Sequence, residues 1–219
     1  MEVNATSRDQ NPRGSIDRRS LIRPFDTLLL LREGQWPLVE VRPTSIRIME
    51  TPSPSIQRFK VPYVPTSMET AKRMLEIAKV GSEDVVYDLG CGDGRILILA
   101  VEEFGAKGAV GYEIRKELYK STQLRIEHRG LQGRIRLVNG DLFEADLSKA
   151  TVITLYLNGS ANERLKPKLE RETRPGTRVV SHDFEISEWQ PTRKEILYGD
   201  TIYLYVVPEA FQRLGSPRP

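Results

Sequence analysis

The chain of 219 residues is poor in sulfur and imidazole, with one cysteine, Cys91, and two histidines, His128 and His182. One cysteine excludes an intrachain disulfide framework and suits a reducing compartment, so a cytoplasmic location is expected. No histidine–cysteine cluster has metal-ligand spacing, so no metal is expected. Long apolar runs are missing too. Residues 27–31 (TLLLL) fall far short of the roughly 18 to 20 that a membrane helix needs. Met1 leads into a polar, arginine-dotted stretch unlike a signal peptide, and no membrane partner is expected. Neither sign of charge dominates: charged residues make up 29% of the chain, yet the formal net charge is +3. Residues 49–219 hold ten Lys, fifteen Arg and twenty-four acids, whereas 1–48 hold eight Arg, no Lys and six acids. A nearly neutral body argues against a nucleic-acid binder, whose folded part more often carries a basic excess. Dense charge of both signs suits a hot environment, so a thermophilic source is expected.

What is present divides the chain. Residues 1–24 are polar, arginine-rich and aperiodic, and are expected to be a disordered tail. Residues 25–55 allow two readings: a short β appendage, or a non-native extension with Met49 as the true start. Residues 56–208 form the main domain, and 209–219 a C-terminal tail. In the domain, Thr66-Ser67-Met68-Glu69 reads as a capping box with Thr66 as the cap, and Met68, Ala71, Leu75 and Ala78 as one helix face. Strands follow at VVYDLG, GAVGYEI, IRLVNGD, TVITLYL and RVVSHDF. Helices fall at RILILAVEEF, RKELYKSTQLRIEHRG and ANERLKPKLERET, the last despite Pro167. KEILYGDTIYLYVV reads as an antiparallel hairpin turning at Gly199-Asp200. The alternation predicts an α/β fold, a doubly wound parallel sheet covered on both faces, with the hairpin added at its end.

Chemistry concentrates at strand ends. DLGCGDG places Gly90, Gly92 and Gly94 between a strand and a helix, where backbone can approach a ligand without Cβ interference and helix-start amides face it. A dinucleotide fingerprint requires a small residue at 95; Arg95 stands there. G-x-G-x-G after an acid, Asp88, is instead the S-adenosylmethionine (SAM) pattern. Glu113 ends the second strand, where an acid accepts both ribose hydroxyls, and Asp141 follows the third, at the rim position for an adenine amino group. Cys91 and Leu142 complete the expected cofactor lining.

The segments VPYVPT, YDLGCGDGRI, VNGDLFEADLSKATVIT, LKPKLERE and PGTRVVSHDFEI resemble the archaeal seven-strand protein-lysine methyltransferases. These are related to the eukaryotic histone-lysine methyltransferase of telomeric silencing and to mitochondrial lysine methyltransferases. The resemblance covers about 56–207 and implies a Rossmann-like seven-strand sheet with methyl transfer from SAM to protein lysines, often with broad substrate choice. It puts cofactor contacts on Tyr63, Pro65, Thr66, Asp88, Gly90, Gly92, Glu113 and Asp141. The implied partners are lysine-containing proteins, chromatin proteins among them, with no nucleic-acid requirement; a monomer is expected. LYLNGSAN, around Asn158 to Ser160, departs from the family's pattern.

Methyl transfer to lysine needs a neutral amine and exclusion of water, which apolar aromatic walls supply; Tyr63 and Tyr156 are the candidate catalytic residues. Pro62 and Pro65 hold VPYVP as a stiff strap, expected to roof the cofactor. Ser181-His182-Asp183 names triad residue types, but neighbours on a strand point alternately and cannot form a triad. Two other readings are a nucleic-acid or small-molecule methyltransferase and a SAM-binding module without catalysis. Against adenine N-methylation, YLNG stands where an Asn/Asp-Pro-Pro-aromatic motif is common.

Overall fold

The computed structural model describes residues 63–211. The readings of 1–24, of 25–55 and of Pro62 lie outside them. The elements in chain order are α1 (Met68–Ile77), β1 (Val85–Leu89), α2 (Arg95–Glu102), β2 (Gly108–Glu113), α3 (Lys116–His128), β3 (Ile135–Asn139), β4 (Val152–Leu155), α4 (Gly159–Glu172), β5 (Arg178–His182), β6 (Arg193–Leu197) and β7 (Asp200–Val206). They build one seven-stranded sheet of order β3-β2-β1-β4-β5-β7-β6. Pairings among β1 to β5 are parallel, and β7 pairs antiparallel with both β5 and β6. Among the described residues no helix is long and apolar enough to cross a membrane.

The strand sequences explain the layers. β4 (VITL) is buried throughout, as a central parallel strand covered on both faces should be. Its Val152 packs with α1 and α2, while Ile153 and Leu155 pack with Leu165 and Leu169 of α4. Gly111 in β2 lets α2 and the preceding turn approach. A methyl group there would overlap Leu97 Cδ1 and stand 2.7 Å from Cys91 Sγ. Leu97 is fully buried and has little room to yield. We expect Gly111→Ala to cost about 1–3 kcal/mol by overpacking; an unchanged melting temperature would show that Leu97 repacks freely.

Four local expectations are corrected. The N-cap of α1 is Ser67, whose Oγ accepts from Thr70 N at 3.0 Å. Thr66 instead faces His182, with Oγ1 3.2 Å from Nδ1. Met68, in the first turn, is 47% exposed, while Met74 and Ile77 join Ala71, Leu75 and Ala78 inside. Helix α4 begins at Gly159, with Asn158 Oδ1 accepting from Ala161 N at 2.9 Å, so the departing NGS segment is a helix start. The hairpin turns at Tyr198-Gly199, both at positive φ (53° and 99°) as a type I′ turn requires, and Asp200 already pairs with Leu197. Finally, 209–211 form a short 3₁₀ helix with Ala210 buried, where a tail was expected.

Candidate active site

The strand order reverses between β1 and β4, since β2 and β3 run outward on one side and β5 on the other. Such a reversal opens a crevice beyond the carboxyl ends of the strands. A cleft of about 700 Å³ lies there, a volume suited to a cofactor.

Its floor is the glycine turn after β1. Gly90 (φ 93°) and Gly92 (φ 52°) adopt left-handed backbone, and the amides of Gly90 and Cys91 both donate to Tyr112 O at 2.9 Å. Glu113, 4% exposed, braces the same turn: Oε2 accepts from Gly92 N at 2.9 Å and Oε1 from Arg115 N at 2.7 Å. Each carboxylate oxygen keeps a second lone pair, so the residue still suits a pair of vicinal hydroxyls. Asp88 is buried, with Oδ1 accepting from the Thr154 hydroxyl at 2.7 Å. Burial pushes its carboxyl up to about 7, the Thr154 bond opposes this, and the charges of Glu113 and Asp93 add to it. The Cys91 thiol is also pushed up, by burial and then by Asp88 and Glu113, which rules it out as a nucleophile at neutral pH.

The residues ahead of α1 lie over this floor. Tyr63 packs so closely on the turn that a Cβ on Gly92 would stand 2.5 Å from Tyr63 Cε2. The Arg115 guanidinium lies 5.8 Å from the Tyr63 ring centroid. Arg95 grips Asp93 through Nε (2.9 Å) and Nη2 (2.7 Å) and donates Nη1–H to Thr66 O, tying the strap to the turn. On the far wall, Asp141 Oδ1 accepts from Phe143 N at 3.0 Å, beside Leu142. Tyr156, just past β4, stacks on His182 at a centroid distance of 3.8 Å, with its hydroxyl 3.5 Å from Asp183 Oδ2.

The cleft therefore brings together Tyr63, Pro65, Thr66, Asp88, Gly90, Cys91, Gly92, Glu113, Asp141, Leu142 and Tyr156. Gly94 is not among the lining residues. That glycine (φ 74°) starts α2, and a Cβ there would meet Thr122 Cγ2 at 2.5 Å, so it serves helix packing. Ser181 donates to Phe184 O, away from His182, and Asp183 (φ 60°) turns the chain out of the strand, so no triad exists.

The wall residues Tyr112, Phe143 and Arg164 were not foreseen. Arg164 lies 3.9 Å over the Phe143 ring. Their only sequence signal is position, next to an expected acid or one turn into a helix. His182, Asp183 and Asp200 also converge, a grouping of one histidine with two carboxylates that histidine–cysteine spacing does not address.

The family model for the ANTKMT methyltransferase domain matches residues 88–193, from Asp88 in β1 to the first residue of β6. A protein-lysine N-methyltransferase of the archaeon Saccharolobus islandicus is 53% identical over 155 residues, covering 68% of this chain and 95% of that protein. The chain belongs to the protein-lysine N-methyltransferase family of that relative. The mouse adenine nucleotide translocase lysine N-methyltransferase is 33% identical over 150 residues; the match spans 68% of this chain and 65% of the mouse protein. Among solved structures, one titled as an RNA methyltransferase from Salinibacter ruber in complex with S-adenosylhomocysteine is 48% identical. It has a TM-score of 0.65 and covers 67% of this chain and 95% of its own. The tRNA methyltransferase TrmK of B. subtilis, 17% identical with a TM-score of 0.54, covers 65% of both chains and shares the fold alone. In this methyltransferase the cleft suits SAM: a backbone cradle at Gly90 and Gly92 for close approach, and strand-end carboxylates for hydroxyl and amino donors.

Proposed function

We infer that this methyltransferase transfers the methyl group of SAM to lysine side chains of proteins. The observation that carries this reading is the 53% identity with the S. islandicus protein-lysine N-methyltransferase across 95% of that relative. The cofactor supplies an electrophilic methyl on a sulfonium leaving group, and the chain's part is alignment and desolvation. In this reading Glu113 holds the ribose hydroxyls, Asp141 the adenine amino group, and Asp88, Gly90, Cys91, Gly92 and Leu142 the body of the ligand. Pro65 and Thr66 close over its methionine end, and Tyr63 and Tyr156 form the acceptor channel.

A lysine of ordinary pKa must lose its proton first, at a cost of about 4–5 kcal/mol at neutral pH. Burial raises the Tyr63 phenol above its ordinary value, with Asp93 adding to the shift; burial and Asp183 do the same for Tyr156. Neither ring is therefore a base at neutral pH. They work as walls that keep water from the amine and disfavour its cation. Broad choice among exposed lysines, chromatin proteins included, a monomeric state and a cytoplasmic location belong to the same proposal.

The S. ruber structure, described as an RNA methyltransferase, favours RNA as a second acceptor class. One experiment separates them. Incubated with methyl-labelled SAM and a cell lysate, the protein should label material that is lost on protease digestion and kept on nuclease digestion, with methyllysine in the hydrolysate. Label lost to nuclease alone would overturn the lysine reading.

Tyr63→Ala tests the roof. We expect kcat on a lysine-rich protein to fall by about tenfold or more while the dissociation constant for SAM changes by less than about threefold, because the wall acts mainly in the transition state. A near-wild-type kcat would reduce the strap to a linker.

A further inference from the structure

Behind Tyr156, outside the cofactor cleft, three side chains point at one another. His182 ends β5, Asp183 follows it, and Asp200 opens β7. His182 Nε2 lies 3.2 Å from Asp200 Oδ2 and 3.6 Å from Asp183 Oδ2, and one ligand atom from each residue lies within 4.8 Å of the others. The His182 side chain is 2% exposed, yet Nε2 makes no hydrogen bond: it is close to both carboxylates and aligned with neither. A buried ring nitrogen aimed between two carboxylate oxygens and bonded to neither calls for a third party.

We propose that His182, Asp183 and Asp200 bind one divalent transition-metal cation of the zinc class. The spacing fits. Bonds of about 2.0–2.2 Å in a tetrahedral shell put neighbouring ligand atoms about 3.3–3.5 Å apart, and the two observed separations bracket that range. The ligands are braced from outside, as metal ligands usually are. Thr66 Oγ1 is 3.2 Å from Nδ1, and the tautomer with Nδ1–H donating to it leaves the Nε2 lone pair facing the carboxylates. The Thr70 hydroxyl donates to Asp200 Oδ2 at 2.7 Å, and Thr201 N to Asp183 Oδ1 at 2.8 Å. Two carboxylates and a neutral imidazole match a doubly charged ion. The imidazole selects zinc, cobalt or nickel over magnesium and calcium, which prefer all-oxygen shells. The side chains of Asp183 and Asp200 are 32% and 34% exposed, leaving a path in and room for a water ligand.

The site does not depend on which substrate is methylated. It would nevertheless bear on the cleft, because the His182 ring carries Tyr156 and contacts Thr66. The test uses full-length, untagged protein stripped with chelator, titrated with Zn²⁺ by calorimetry and with Co²⁺ by visible absorption. We expect one equivalent bound with a dissociation constant below about 10 μM, a cobalt d–d spectrum, and a higher melting temperature with metal. Asp183→Asn and Asp200→Asn alter partly exposed positions and should keep the far-ultraviolet circular dichroism of the parent while losing at least about tenfold in metal affinity, and His182→Gln should lose the spectrum. Failure to bind either ion more tightly than about 1 mM would overturn the proposal and leave the cluster a packing arrangement of one imidazole and two carboxylates. Binding that is unchanged in both Asp variants would overturn it too, by placing the ion elsewhere.

Discussion

Glu113→Ala is expected to bind S-adenosylhomocysteine about a hundredfold or more weakly and to melt at a lower temperature. The carboxylate takes the amides of Gly92 and Arg115 on its two oxygens, in a site almost closed to water. Alanine leaves both donors without a partner, at about 1–3 kcal/mol each. It also removes the proposed acceptor for the ribose hydroxyls. Glu113→Gln supplies the finer control: its amide keeps one acceptor oxygen and sets an NH₂ group against the other backbone N–H, so about half the loss should remain. Calorimetry with S-adenosylhomocysteine and thermal melts of both variants measure this. Wild-type affinity in Glu113→Ala would remove the residue from the cofactor site.

Asp88→Asn should act in the opposite direction on stability. The Asp88 carboxyl titrates near 7 in the folded chain because it is buried, despite the Thr154 hydroxyl, and because Glu113 and Asp93 stand nearby. In the unfolded chain it titrates near the ordinary value of about 3.9. Between those values the folded state holds the extra proton, so stability falls as pH rises, and above about 7 the loss is complete. A shift of this size corresponds to about 4 kcal/mol, an order-of-magnitude figure. Asparagine keeps an oxygen for Thr154 and removes the charge. The variant should therefore melt well above the parent at pH 8, and the gap should close toward pH 4. Methyl transfer should fall in the same variant, since stability given up at an active site commonly serves the ligand. A variant that melts lower than the parent at pH 8 would show that the buried charge is not the cost.

The lining of the cleft was legible because its signals are local. A strand, a run of glycines and a helix start are neighbours in sequence, and Glu113 and Asp141 announce themselves by standing where strands end. Gly94 marks the limit of such signals, because a glycine pattern does not tell a residue that must admit a ligand from one that must admit Thr122. Thr66 and Ser67 are both good caps, and only the packing of α1 on the sheet chooses between them. The His182–Asp183–Asp200 cluster was out of reach. It depends on the antiparallel register that sets His182 opposite Ile202, and on a left-handed residue at Asp183 that the sequence does not announce.

That register has a consequence during synthesis. Among the strands of this sheet β7 is the last to leave the ribosome, yet it lies inside the sheet, between β5 and β6. Domains generally begin to fold from the N-terminal side while the chain is being made, and here β1 to β5 can pair before β7 is available. Strand β6 has no partner in the sheet until β7 arrives, and Thr70 gains the Asp200 carboxylate only then, across 130 residues of chain. A nascent chain arrested before residue 200 would thus carry the glycine turn and its acids but lack the last tie on the helix behind the strap. The sheet's last strand in chain order works as a completion signal: the helix that carries the roof gains its tie to Asp200 only on molecules translated through β7.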